Sequence, residues 1–173
     1  MGAFESAWAL VKMPVVPSSY EDDEFFPSAK FEDPETGETL PIYATQHPQE
    51  SEKMGFILNQ GGLDRLVYNH DWDRLMPSAD DIRAFSRLRQ NNADGWSPEL
   101  SITEEPYRRR GYLTAIYDVL ARMVADRESE PRLYHLPRDD GGEVLDDGRS
   151  FWEGSKKAGK TNPDGSWRVR DDI

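Results

Sequence analysis

The 173-residue sequence predicts an α+β fold in a single domain, a mixed and mostly antiparallel sheet flanked by helices. Three observations carry this expectation. The length suits one domain with a substantial core and is short for two. Apolar runs at residues 40–45 and 63–69 have strand length and are bounded by turn residues. Residues 100–126 begin as a β-like run, Leu100-Ser101-Ile102-Thr103, and leave an arginine-rich turn as an amphipathic helix. In that helix Leu113, Ile116, Tyr117, Leu120, Met123 and Val124 form one apolar stripe, with Asp118, Arg122 and Asp126 as charge neighbours on the other side.

The remaining elements follow in chain order. Residues 3–12 read as a short helix with Phe4, Ala7, Trp8 and Val11 on one face, stopped by Pro14 and Pro17. Such a helix either covers the core or docks on a protein partner, Trp and Phe being good anchors. Residues 18–37 are acidic and proline-punctuated, a loop ending in the turn Asp33-Pro34-Glu35-Thr36-Gly37 before the strand at 40–45. Residues 53–59 are apolar and fit helix or strand; the Gly61-Gly62 turn then leads into the strand at 63–69. Ser78-Ala79-Asp80-Asp81 has a capping-box pattern and predicts a helix whose inner face is Ile82, Phe85 and Leu88, ended by residues 91–95. After the central helix the sequence predicts a fifth strand at 132–136, a loop rich in Asp and Gly at 138–147, a helix at 149–157 and a last strand at 166–170.

Composition narrows the function classes. Asp and Glu total 33 against 21 Lys and Arg, a net charge of −12 that argues against nucleic-acid binding over the whole surface. With no cysteine, the chain has no disulfide, no thiol nucleophile and no cysteine-ligated metal. No apolar run reaches transmembrane length and the first residues lack a signal pattern, so the expectation is a soluble, cytoplasmic protein that does not enter the membrane. Lysine is confined to Lys12, Lys30, Lys53, Lys156, Lys157 and Lys160, while aspartate is abundant and often paired. Such a surface resembles those of halophilic archaea, where concentrated salt screens self-repulsion, and points to a haloarchaeal cell or a virus of one, with a virion as the alternative location.

Two clusters invite chemistry that their context does not support. His70-Asp71-Trp72-Asp73 places two carboxylates beside an imidazole, yet the residues alternate sides if extended and lack a ligand spacing, so a hydrated loop is the simpler reading; His47 and His135 add none. Gly154 to Thr161 matches the Walker A pattern letter for letter, but no buried strand precedes it and Asn162-Pro163-Asp164-Gly165 cannot continue as a helix.

The turn Arg108-Arg109-Arg110-Gly111 is different, because a strand leads in and a helix leads out. A helix N-terminus offers unpaired N–H donors and partial positive charge, and arginine supplies forked donors, so a diphosphate suits the turn better than a lone carboxylate. A solvated turn and a partner-binding patch are the structural alternatives. Thr114 adds a hydroxyl at the helix start.

Here the sequence resembles the GCN5-related N-acetyltransferase (GNAT) superfamily, whose acetyl-CoA motif is Gln or Arg, two residues, Gly, one residue, then Gly or Ala. The matching run is Arg108-Arg109-Arg110-Gly111-Tyr112-Leu113, with Leu113 where the family prefers a small residue. Asp147-Gly148-Arg149-Ser150-Phe151-Trp152 resembles the family's helix after the fifth strand, and the likeness spans residues 97–158. The resemblance implies a single GNAT-like domain that uses acetyl-CoA to acetylate an amine by direct attack on the thioester. It implies that Ile102 and Thr103 meet the pantetheine and that Arg108, Arg109, Arg110, Gly111, Tyr112, Leu113 and Thr114 surround the pyrophosphate. Glu99 or Glu104 is then the nearest carboxylate for the amine proton, unless both are simply surface acids. Where the family often carries a proton-donating tyrosine this chain has Phe151-Trp152, so Tyr134 or water replaces it, or the fold serves as a binding or structural component without catalysis.

Overall fold

The structure, a computed structural model, describes residues 26–47, 49, 52–91, 95–127, 133–134 and 146–172. Within them the elements are β1 Phe26–Glu32, β2 Thr39–Gln46, β3 Glu52–Leu58, β4 Leu66–Asn69, β5 Arg74–Pro77, β6 Ile82–Asn91, β7 Gly95–Thr103, α1 Tyr112–Arg127 and α2 Asp146–Lys157. The fold is α+β: an antiparallel five-stranded sheet in the order β1-β2-β3-β6-β7, and a separate two-stranded ribbon of β4 and β5.

Both faces of the sheet are covered. Alternation along β2 sends Leu40, Ile42 and Ala44 to one side and Tyr43 and Thr45 to the other. On the first side α1 lays its apolar stripe, Ile116, Tyr117, Leu120 and Val124, against Ile42, Ile57, Ala84 and Leu88. Gly55 on β3 makes room for this: a Cβ there would lie 2.9 Å from Ile116 Cγ2. The second side carries Tyr43, Met54, Phe56 and Leu58, capped by Leu63, Trp72 and Met76 from the ribbon and its flanks.

The chain then returns beside β7. Trp96 and Leu133 form a parallel bridge, and Tyr134 pairs with Ser166 in an antiparallel one. Trp167 fixes this corner. Its backbone N–H donates to the Leu133 carbonyl at 2.7 Å, and its indole N–H donates to buried Asp118 on α1 at 2.9 Å. The ring packs with Tyr117, Phe151 and Trp152 at centroid distances of 5.2, 6.0 and 5.4 Å.

Several sequence expectations are corrected. The helix expected from Ser78 is a single 3₁₀ turn, Ala79–Asp81, followed by the ten-residue strand β6. Its residues Ala84, Ser86 and Leu88 face α1 while Phe85 belongs to the opposite cluster, an alternation that overrides the three-residue spacing of Ile82, Phe85 and Leu88. Part of the expected acidic loop is β1, ordered by pairing with β2. Residues 53–59 resolve as strand β3, and only Leu66–Asn69 of the run 63–69 is extended, Gly62–Arg65 being a 3₁₀ turn. The strand at 166–170 reduces to bridges at Ser166 and Trp167; of the strand expected at 132–136 only Leu133 and Tyr134 are among the described residues, and each forms a bridge. The helix at 3–12, residues 18–25 and residues 138–145 lie outside the described residues.

The Walker-like stretch is a helix end. Gly154 to Lys157 belong to α2, and Gly159, at φ 74°, closes it with its N–H on the Lys156 carbonyl and the Lys160 N–H on that of Ser155. The carbonyl-rich end of a helix is the wrong pole for phosphate.

Candidate functional site

The turn between β7 and α1 is built from a 3₁₀ turn, Glu105–Tyr107, and two left-handed residues, Arg109 at φ 62° and Gly111 at φ 86°. Glycine adopts that conformation freely, but arginine holds it against a cost of ~1–3 kcal/mol, the kind of strain that clusters at binding sites. The first intrahelical bond of α1 runs from the Ala115 N–H to the Gly111 carbonyl at 3.0 Å. The amides of Tyr112, Leu113 and Thr114 therefore precede the helical ladder and crown the turn with donors.

The three arginines divide into two roles. Arg110 is structural: Nη1 donates to buried Asp33 at 3.2 Å, Nη2 lies 2.7 Å from Glu35, and the group stacks on Tyr107. Arg108 and Arg109 are exposed and have no carboxylate partner among the described residues; Arg108 gives only its Nε–H, to the Thr103 carbonyl at 3.1 Å. Two guanidinium groups without a carboxylate among the described residues, at a helix N-terminus, are an opening for an external anion.

Beside the turn, the far edge of β7 is left open by the described residues. Beyond the Trp96 bridge to Leu133, no described residue pairs with it on the side away from β6. The Glu104 N–H donates to the Arg83 carbonyl at 2.8 Å, which sets the phase of the ladder. Antiparallel alternation then turns the backbone of Ile102 toward β6 and those of Ser101 and Thr103 outward. Thr103 thus turns its backbone groups away from β6, whereas Ile102 presents its side chain, 41% exposed, with Leu100 at 40% on the same strand.

The candidate acid–base residues are dispersed. Glu99 lies in a bulge of β7 and is flanked by Arg87 Nε and Arg89 Nη1, both at 3.0 Å, the Arg87 approach falling outside hydrogen-bond geometry. Glu104 is exposed at the strand's end. Tyr134 is half-buried at the other end, its N–H on the Trp96 carbonyl at 2.8 Å. Eight residues of strand separate Trp96 from Glu104, roughly 25 Å, so Tyr134 and Glu104 cannot serve one reacting centre. Phe151 and Trp152 are core residues, as the sequence suggested.

What the sequence did not reveal is the network under the turn. Tyr112 is not a ligand-facing side chain: it is buried, and its hydroxyl donates to Asp33 at 2.6 Å and accepts from Arg83 Nη1 at 3.2 Å. Arg83 also forks onto Glu38 at 2.8 and 3.2 Å and donates to Asn59 at 2.8 Å. The only local hint is the turn after Asp33, whose carboxylate accepts the Glu35 and Thr36 N–H groups.

This network makes the fold acid-sensitive. The Tyr112 hydroxyl, helped by the Glu35 amide and Arg110, holds the Asp33 carboxyl down to about 2, against the ordinary 3.8. A depressed carboxyl adds stability above its unfolded pKa and loses it as protonation proceeds in the folded state. Urea midpoints measured from pH 5 to pH 2 will therefore fall, and the difference between wild type and Asp33→Asn will shrink between about pH 4 and pH 2. A difference that stays constant over this window would refute the linkage.

His70 and Asp71 sit exposed at the tip of the β4–β5 ribbon with Trp72 buried beneath, and no group of three or more potential metal ligands occurs among the described residues. Nor is any described helix long and apolar enough to cross a membrane. The chain matches no protein-family model and no curated protein sequence.

Proposed function

We propose that the chain is a GNAT-type N-acyltransferase that transfers the acetyl group of acetyl-CoA to an amine. The observation that carries this reading is the pair Arg108 and Arg109, exposed and without carboxylate partners among the described residues, at the amide-rich start of α1 beside a strand edge that no described residue covers beyond Trp96. The order of elements supports it. Consecutive antiparallel strands lead into β7, the arginine turn and helix follow, and the chain returns parallel to β7 at Leu133.

Acetyl-CoA supplies an acyl thioester whose carbonyl carbon accepts the amine. The residues present fit a diphosphate: Arg108, Arg109 and the amides of Leu113 and Thr114 are the donors that hold it. The outward backbone groups of Thr103 and Ser101 hydrogen-bond the amides of an extended ligand arm, and Leu100 and Ile102 give it an apolar flank. Such an enzyme works mainly by holding two reactants in register. Glu99 is the best placed carboxylate to take the amine proton, through water, because Arg87 and Arg89 fix its position.

Titrating acetyl-CoA calorimetrically into the protein at multi-molar KCl, as the acidic surface recommends, tests this. The wild type binds saturably, and Arg108→Ala/Arg109→Ala weakens binding at least tenfold, since each charged hydrogen bond contributes about 1.5–3 kcal/mol. Arg110→Ala loses stability first, through Asp33. Absence of binding at every salt concentration would sink the proposal.

A second reading is favoured by Phe151 and Trp152, which fill the core where a proton donor would be needed. On it the fold binds without catalysis, as a structural component of a cell or virion. Acetyl-CoA binding without turnover of any amine would select it.

A further inference from the structure

We infer that copies of this chain associate head to tail, the basic corner at the end of α2 in one copy docking on the acidic β4–β5 ribbon of the next. Half of the lysines in the sequence, Lys156, Lys157 and Lys160, fall within five residues. Arg168 joins them because the chain doubles back: its N–H donates to the Lys160 carbonyl at 2.8 Å, and Thr161 bridges Trp167. The turn between is fixed by Asp164, whose carboxylate accepts the Ser166 N–H and hydroxyl at 3.0 and 2.6 Å. Asp118 below takes Lys160 and Arg170, and of Asp171 and Asp172, which follow, the second is paired with Arg170. Lys156, Lys157 and Arg168 are the exposed cations of the corner. Lysines in the last turn of a helix complement its carbonyl end, which accounts for Lys156 and Lys157 but not for Arg168 on the hairpin.

The ribbon has the opposite sign. Residues 59–81 carry five carboxylates and two arginines. Arg74 is buried and Arg65 is paired with Asp81, which leaves Asp64, Asp71, Asp73 and Asp80 on the surface. Among them stand Val67 and Tyr68, 51% and 50% exposed, the most exposed large apolar side chains among the described residues. An apolar centre with a charged rim is the anatomy of a protein contact, and tyrosine is one of its commonest anchors. Lysine suits that centre: its four-carbon stem lies along apolar surface while its ammonium reaches the Tyr68 ring or an aspartate at the rim.

The two patches cannot meet within one molecule. Trp152 and Trp167 hold the corner on the α1 side of the sheet, whereas Leu63, Trp72 and Met76 hold the ribbon on the other. With one layer on each side of the sheet, the patches are roughly 20 Å apart, about two Debye lengths at 0.1 M salt, so neither neutralises the other. A second copy supplies the complement to both. A nucleic acid would meet the same cations, but also the repulsion of a chain of net charge −12, and it would leave Val67 and Tyr68 uncovered. Because the two surfaces in contact differ, each docked pair leaves one corner and one ribbon free, and association repeats instead of stopping at a dimer. The contact involves neither the arginine turn nor β7 and is independent of the function proposed for them.

Sedimentation velocity of the full chain, over a range of protein and KCl concentrations, tests this. The weight-average mass of the wild type rises with protein concentration without a plateau at the dimer. Net repulsion between copies acts at long range and is screened first, so association is strongest at intermediate salt and declines where contact pairs are screened too. Lys156→Glu/Lys157→Glu/Arg168→Glu and Asp64→Lys/Asp71→Lys/Asp80→Lys each associate at least about tenfold more weakly alone. All six side chains are exposed, so both variants keep a cooperative thermal transition. Mixed together they associate again, because the reversed corner of one matches the reversed ribbon of the other. Arg108→Ala/Arg109→Ala associates like the wild type, whether or not acetyl-CoA binds. The proposal is overturned if the wild type is monomeric throughout, if its mass stops at a closed dimer, if either charge-reversed variant associates as the wild type does, or if their mixture stays monomeric. Binding of RNA or polyglutamate by a wild type that remains monomeric overturns it equally, and assigns the corner to a foreign polyanion.

Discussion

Replacing Gly55 with valine unfolds most of the molecules, and replacing it with alanine lowers stability by about 1–3 kcal/mol, the usual range for overpacking a core. The reason is distance, not backbone conformation. A Cβ at this position on β3 would sit 2.9 Å from Ile116 Cγ2 and 3.3 Å from Leu120 Cγ, both on α1 and both buried. Protein interiors are packed too closely for the helix to retreat without opening gaps beside Ile57, Ala84 and Leu88. Two effects compete here: glycine within a strand is otherwise worse than alanine by roughly 0.5–1 kcal/mol, so an unobstructed site would gain from the change. The sign of Gly55→Ala therefore decides which effect wins. Urea denaturation of Gly55→Ala, Ile116→Ala and the double variant measures it, and the double variant should lose less than the sum of the two. Additive losses, or a stabilised Gly55→Ala, would mean that α1 does not rest on β3 at this point.

The helix that rests there was the most legible part of the sequence, because its signal is local. Ile116, Tyr117, Leu120 and Val124 share a face whatever they pack against. Strand β6 was misread for the converse reason. Buried on both faces, it sends Ala84, Ser86 and Leu88 to α1 and Phe85 and Arg87 to the other side, so no polar face marks its alternation. Its Arg89 is paired across the strands with Glu52 of β3 and Glu99 of β7, partners distant in sequence. The same contrast runs through the candidate site. The arginine turn could be found because strand, glycine and helix start are contiguous. The division of labour within it could not, since Asp33, which takes Arg110 and Tyr112 out of service, lies 77 and 79 residues away.

Trp167→Ala will cost about 3–5 kcal/mol, as expected for removing a buried aromatic side chain. The substitution empties the centre of the cluster formed by Tyr117, Phe151 and Trp152, in which Trp167 is only 2% exposed. Trp167→Phe separates packing from polarity: it keeps most of the ring contact but strips Asp118 of its 2.9 Å indole donor, at a cost of about 1–3 kcal/mol. Salt distinguishes the buried bond from its surroundings. Asp118 also faces Lys160 Nζ at 3.7 Å and Arg170 Nη1 at 3.3 Å, and both of those side chains are more than one-third exposed. Their attraction is screened in multi-molar KCl, whereas a hydrogen bond enclosed by aromatic rings is not. The loss in Arg170→Ala should therefore fade with salt while the loss in Trp167→Phe persists. Because the Trp167 N–H also holds the Leu133 carbonyl at 2.7 Å, loosening this corner frees the segment that returns beside β7. Amide exchange at Leu133 and Tyr134 should accelerate in Trp167→Ala while that of β2 and β3 changes only with global stability. Uniform acceleration across the whole sheet would show instead that the corner and the sheet unfold as one unit.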